Sequence, residues 1–195
     1  YIKRLRLAGP LMKLSLRADN DLGGVLVSYA INTVISEVVV GGVIERLGGT
    51  GRIGSLIGLG HGGSITACMS LTKVICSDCY GASGLVASSG DLTIRASFTS
   101  SQVSSPSNSY GLTTGIRPVI EGNLVVGYIA GGEYSGALAA SEDLIDNYWS
   151  TDTTSQQVSG SWSLDGNYGV TLTELQCAEA ADNTTCAGGT LYRNW

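Results

Sequence analysis

The chain's one histidine lies in a glycine-rich run, "IGSLIGLGHGGSITACMSLTKV", residues 53–74. His61 in that setting could serve as a general base, as a metal ligand or as part of a loop that cradles phosphate. A general base needs an orienting partner and a nucleophile, and the sequence places neither at a recognisable spacing. A phosphate loop needs a helix whose N-terminus faces the anion, whereas the following "SITACMS" has the pattern of a strand. His61 and the glycines around it (Gly58, Gly60, Gly62 and Gly63) are therefore expected in a turn between strands.

The five cysteines are Cys68, Cys76, Cys79, Cys177 and Cys186. "CSDC", residues 76–79, has the spacing of a redox motif or of half a zinc site. Zinc would need two more ligands nearby, and the chain has one histidine. A short Cys76–Cys79 bridge or a partnership with Cys68 is the preferred reading. Cys177 and Cys186, separated by a polar loop, suit a disulfide formed in an oxidising compartment.

Carboxylates gather at Glu142, Asp143 and Asp146. Clustered carboxylates on the side of a parallel β-helix can bind calcium or act as acid and base. Here they are the best candidate binding residues in the chain, although a solvated acidic loop is the plainer reading. "ADND", residues 18–21, offers oxygens but lacks the spacing of a calcium loop, and an Asp/Asn turn explains it. Among the aromatics, Trp162 lies in a polar Ser/Gly stretch and is expected to be exposed, where a ring can carry a sugar or a protein contact. Trp149 falls in an apolar register and is expected in the core. No metal or cofactor is expected.

Composition limits what these residues can belong to. The chain has 195 residues and 28 glycines, roughly twice the usual glycine share. Only 14% of residues are charged and the net charge is −5. A mildly acidic chain without a basic stripe is a poor ligand for nucleic acid or for anionic membrane. No apolar run reaches the roughly 18 residues of a membrane span. Tyr1 in place of an initiator Met points to a piece of something longer.

The elements that would position these residues come from a repeat. Laying "GGVLV" from Gly23 over "GSLIG" from Gly54 and "SGLVA" from Ser83 aligns Val25, Leu56 and Leu85. Val34, Ile65 and Ile94 then coincide, as do Val38, Met69 and Phe98, and Val43, Val74 and Val103. A fourth copy is expected from Val126, with its second half displaced by eight residues so that "IDNYWS" matches "ITACMS" and "IRASFT". The repeats thus fall near 23–53, 54–82, 83–104 and 126–150, with an inserted loop at 104–123 and a cap at 151–195, all in one domain. A unit of about 30 residues cannot bury a core alone, but stacked copies can. The apolar offsets do not follow a 3.6-residue period, so short strands broken by turns are expected. At about 3.3 Å per residue, each unit can wrap once around a thin core. The fold class predicted is all-β, a parallel β-solenoid. Thr171 with Glu174 forms a capping box that starts a short helix at about Leu172 to Ala180, covering the last coil.

The repeat resembles the GLUG motif of bacterial surface proteins, approximately Gly-Gly-Leu-Val-Gly, a polar turn, then Ile-x-x-Ser-Tyr-Ala. "GSLIGLGHGGSITACMSLTKV" matches it well. "DNYWSTDTTSQQ", "YGVTLTELQC" and "TTCAGGTLYRNW" are similar to the tail that closes such blocks. The resemblance implies a right-handed parallel β-helix, extracellular or cell-surface display, and a non-enzymatic adhesion or stalk module. Its partners would be a surface glycan or a protein receptor, with no nucleic acid and no membrane insertion. Two alternatives stand beside it. One is a filament subunit that associates end to end, using "YIKRLRLAGPLMKLSL", Tyr1 to Leu16, as an end strand. The other is a carbohydrate-active β-helix enzyme using Glu142, Asp143 and Asp146.

Overall fold

The structure is a computed structural model that describes residues 1–9, 12–16, 22–115, 117–141, 143–157, 159–160 and 167–175. The described chain winds as a β-solenoid with three strand-bearing faces, and every described strand pairs in parallel with a strand of a neighbouring coil. The first face stacks Ile2–Lys3, Val27–Ser36, Ile57–Thr66, Val86–Arg95, Arg117–Glu121 and Leu144–Ile145. The second face is built on Val39–Arg46 and Met69–Cys76 and runs to Tyr168–Val170. The third stacks Leu22–Gly23, Arg52–Gly54, Gly81–Ser83, Asn108–Tyr110 and Tyr134–Gly136.

One leucine per coil marks the repeat. The amide of Leu26 donates to the carbonyl of Leu56 (3.0 Å), Leu56 to Leu85 (2.8 Å), Leu85 to Leu112 (3.1 Å) and Leu112 to Leu138 (3.0 Å). Leu56, Leu85, Leu112 and Leu138 are fully buried in one continuous cluster with Ile35, Ile65, Ile94 and Ile120. A small residue precedes each of these four leucines, and at the two glycines among them there is no room for a side chain. A Cβ on Gly84 would strike the carbonyl of Gly111, and one on Gly111 the carbonyl of Ala137.

These columns correct the repeat boundaries. Val39 pairs with Met69, Met69 with Phe98, Phe98 with Leu124, Leu124 with Tyr148 and Tyr148 with Tyr168. Successive coils are therefore 30, 29, 26, 24 and 20 residues long. The expected inserted loop at 104–123 is instead part of a regular coil, whose strands Asn108–Tyr110 and Arg117–Glu121 lie in register with both neighbours. The later coils shorten where a displaced, lengthened copy was expected. The strand Tyr168–Val170, within the expected cap, adds a further rung to the second face.

The first copy is also shifted by one residue from its expected alignment. Ile35, not Val34, stands over Ile65, and Ile44, not Val43, over Val74. Ile35 is fully buried while Val34 is 39% exposed. A one-residue slip turns each side chain to the opposite face, so the two registers are mutually exclusive. The "GLGHGG" run is a correction of another kind. It lies inside the ten-residue strand Ile57–Thr66, not in a turn. Asn32, Gly62 and Asp91 each have left-handed backbone there, with φ of 47°, 64° and 51°. This local kink lets Ala30 and Ile35, five residues apart, both face the interior.

The corner between the first and second faces carries a second left-handed column: Arg4, Glu37, Ala67, Ala96, Gly122 and Asp146. The buried residue after each of the last two is asparagine, and the column extends to Asn167. Asn147 Oδ1 accepts from the Asn123 amide (3.0 Å) and Asn167 Oδ1 from the Asn147 amide (3.2 Å). Their Nδ2 groups donate inward, Asn123 to Ile94 O (2.9 Å), Asn147 to Ile120 O (2.8 Å) and Asn167 to Leu144 O (2.9 Å). Ser97 and Cys68 continue the column, with Ser97 N bonded to Asn123 Oδ1 (2.9 Å) and Cys68 N to Ser97 Oγ (3.2 Å). Elsewhere inside, Ser70 Oγ joins Ser55, Thr72 and Ser101 hydroxyls, so this buried polar cluster satisfies itself.

The tail follows the expected capping chemistry as far as it is described. Helix Leu172–Leu175 opens with a reciprocal box: Thr171 N donates to Glu174 Oε2 (2.7 Å) and Glu174 N to Thr171 Oγ1 (3.2 Å). The expected continuation to Ala180 lies outside the described residues.

Two measurements test this architecture. Ile35→Ala is expected to cost about 2–5 kcal/mol in denaturant unfolding and Val34→Ala under about 1 kcal/mol; equal effects would contradict the register. Asn147→Leu leaves the Asn123 amide and the Ile120 carbonyl without these partners, at about 1–3 kcal/mol each, while Asn147→Ser, which mimics Ser97, is expected to lose less.

Candidate functional site

Asp143 and Asp146 lie on a regular coil. Asp143 is exposed, and its carbonyl accepts from the Ile120 amide (2.9 Å) as part of the first face. Asp146 occupies the left-handed corner column with φ 51°. Glu142 lies outside the described residues, as do Trp162, Cys177, Cys186 and the "ADND" segment. Among the described residues no group of three or more His, Cys, Asp or Glu side chains could hold a metal ion.

Cys76 and Cys79 are joined as a disulfide with Cα atoms 5.7 Å apart, which resolves the reading left open for "CSDC". Cys68 is a free, buried thiol whose Sγ points at the carbonyls of Thr66 (3.4 Å) and Ile35 (3.8 Å). Burial pushes its pKa up, against smaller lowering from backbone hydrogen bonds. His61 is exposed on the first face, level with Ile31 and Gly90, and makes no side-chain hydrogen bond among the described residues.

Trp149 is buried as expected, its Nε1 donating to Gln156 O (3.0 Å). It pairs with Val125, however, and Tyr148 is the residue level with Leu124 and Phe98. Tyr148 stacks on Tyr168 with centroids 5.2 Å apart.

The surface with the richest chemistry is one that sequence reasoning missed. Along the third face, Leu22, Arg52, Gly81, Asn108 and Tyr134 stand in one column. Tyr80 precedes Gly81 on the turn that the disulfide closes, and the Arg52 guanidinium lies 4.7 Å from its ring centroid. Arg52 Nη1 donates to Ser88 Oγ (3.1 Å). Leu22, Thr50, Gly51, Arg52, Tyr80 and Ser88 line a cleft of about 450 Å³. Asn108 Nδ2 donates to Tyr80 O (2.6 Å), which fixes the turn. Tyr80 is 55% exposed and Tyr134 57%. The neighbouring Glu133 carboxylate holds the pKa of the Tyr134 phenol above its ordinary value, and the Tyr80 phenol adds a smaller push in the same direction. Tyr80 and Arg52 are 28 residues apart and become neighbours because each coil returns the chain to the same face.

The described ion pairs also run between coils: Lys3 and Arg4 with Glu37 (3.0 and 2.8 Å), Lys13 with Glu45 (2.7 Å) and Arg95 with Glu121 (2.8 Å). Comparison with protein-family models, with curated proteins and with solved structures finds no match to this chain.

The state of the thiols gives a direct check on the site. Under native conditions a small alkylating reagent is expected to leave Cys68 unmodified and to label it only after denaturation, as read by peptide mass spectrometry. Rapid native labelling of Cys68 would contradict its burial.

Proposed function

We propose that the chain is a rigid, non-enzymatic attachment or stalk module of a bacterial extracellular protein, presenting outward side chains from a β-solenoid. The observation that carries this reading is the unbroken stacking of the interior. The leucine column, the isoleucine column and the corner column each run through successive coils by direct backbone hydrogen bonds. Such a body resists bending and offers a protease few open backbone segments. The GLUG-like repeat and the Cys76–Cys79 bridge both fit an oxidising, extracellular setting. The described outward columns offer tyrosine, arginine and asparagine, residue types suited to holding a partner.

Beads coated with the chain are expected to be retained on glycan-bearing cell surfaces more strongly than beads coated with an unrelated solenoid. The same preparation is expected to release no reducing sugar from a polysaccharide panel. Equal retention of both bead types would remove the attachment reading, and turnover of any polymer would replace it with an enzyme.

A further inference from the structure

We propose that the Arg52–Tyr80–Asn108–Tyr134 stripe of the third face binds a neutral linear polysaccharide laid along the solenoid axis; this deepens the attachment reading and rests on it. Tyr134 pairs with Asn108 and Asn108 with Gly81, so Tyr134 stands two coils from the residue that follows Tyr80. At about 4.8 Å per strand spacing the two rings are offset by about 10 Å along the axis. That is comparable with the length of one disaccharide in an extended polymer, so alternate sugars can each rest an apolar face on a tyrosine.

The polar groups beside the rings suit sugar hydroxyls. Arg52 spends one Nη1 bond on Ser88 and places its flat cation over Tyr80, and its other N–H groups have no partner among the described residues. Asn108 uses Nδ2 on Tyr80 O and Ser107 Oγ, which leaves Oδ1 to accept. Donors and an acceptor therefore alternate with stacking surfaces along a single line. A protein partner needs no such axial repeat. A neutral polymer is favoured over a polyanion because Glu133 lies beside Tyr134 and the chain carries a net charge of −5.

The stripe is pre-formed at both ends. The Cys76–Cys79 bridge closes the turn that carries Tyr80, and the backbone of Tyr134 is held by its ladder bond to Ser107 O (3.0 Å). Rings carried on backbone that is fixed before binding leave less of the chain to be ordered when a ligand arrives.

The experiment is calorimetric titration of the whole chain with neutral β-linked hexasaccharides of glucose and of xylose, and with a hexauronate. At least one neutral hexasaccharide is expected to bind saturably. Tyr80→Ala and Tyr134→Ala are each expected to weaken it about tenfold, Tyr134→Phe to retain most of the affinity, and Tyr29→Ala, on the first face, to change nothing. Unchanged circular dichroism and melting of each variant would tie a loss to the rings rather than to the fold. The proposal is overturned if no hexasaccharide binds at millimolar concentration, if the Tyr80 and Tyr134 variants bind like the parent chain, or if the hexauronate binds more tightly than the neutral sugars. Bead retention with no sugar binding would overturn this stripe while leaving the attachment reading in place.

Discussion

The structure depends on a corner that disfavours the residues standing in it. Five of the six members of the column Arg4, Glu37, Ala67, Ala96, Gly122 and Asp146 are not glycine, yet each has left-handed backbone. Each non-glycine member costs about 1–2 kcal/mol relative to ordinary backbone. What holds them is hydrogen bonding on both sides of the turn. The amides of Glu37, Ala67, Ala96 and Gly122 donate to the carbonyls of Thr66, Arg95, Glu121 and Ile145 on the next coil (3.0–3.2 Å). One residue later, the carbonyls of Val38, Cys68, Ser97, Asn123 and Asn147 accept from the first strand residue of the second face, at 2.8–2.9 Å. A corner of any other shape would break the ladder at each turn of the chain and leave buried peptide groups without partners, which costs more than the strained backbone.

The inward groups at that corner change along the axis in a physically ordered way. Val38 makes no side-chain bond, Cys68 offers a weak thiol, Ser97 one hydroxyl, and then three asparagines each bond across and inward. The same direction sees the coils shorten from 30 residues to 20. A narrower interior has less apolar area to bury per coil, so less of the stabilisation can come from contact between aliphatic side chains. The asparagine column compensates with bonds in a dry, low-dielectric setting, where satisfied polar groups hold geometry firmly.

Much of this was legible in the sequence, and the limits are specific. The parallel solenoid followed from apolar residues that recur at equal offsets, and between the second and third coils the alignment was correct to the residue, Leu56 over Leu85 and Ile65 over Ile94. The first coil slipped because its key positions are doublets: Val25-Leu26, Val34-Ile35, Val38-Val39 and Val43-Ile44 all offer an aliphatic residue in either register. The left-handed Asn32 opposite Gly62 decides between them, and backbone sign is invisible in an apolar pattern. The fourth and fifth coils were misplaced because "SYGLTTG" and "YSGALAAS", the true equivalents of "IGSLIG", carry threonine and alanine where valine or isoleucine was sought. The disulfide was legible from its spacing. The tyrosine stripe was not, since its members are separated by whole coils and only the register brings them together.

The register also explains why the stripe forms where it does. Ile75 pairs with Ser104 and Gly81 with Asn108, so the turn between them has five residues in one coil and three in the next. The two extra residues belong to the "CSDCY" segment that the disulfide closes. A further residue is lost on the first face between Gly90 and Thr93, where the kink residue Asp91 has no counterpart in the following coil. Coil length is thus altered at the turns and at the kink, while the strands between them keep their register. A solenoid built this way can lengthen one turn to push a side chain such as Tyr80 outward without moving the column beneath it. Spacing along the axis, by contrast, is fixed by backbone hydrogen bonds at about 4.8 Å. Chemistry that must recur at a set distance is therefore most stably written down a column, and a ligand with its own linear repeat is the kind that such a column can read.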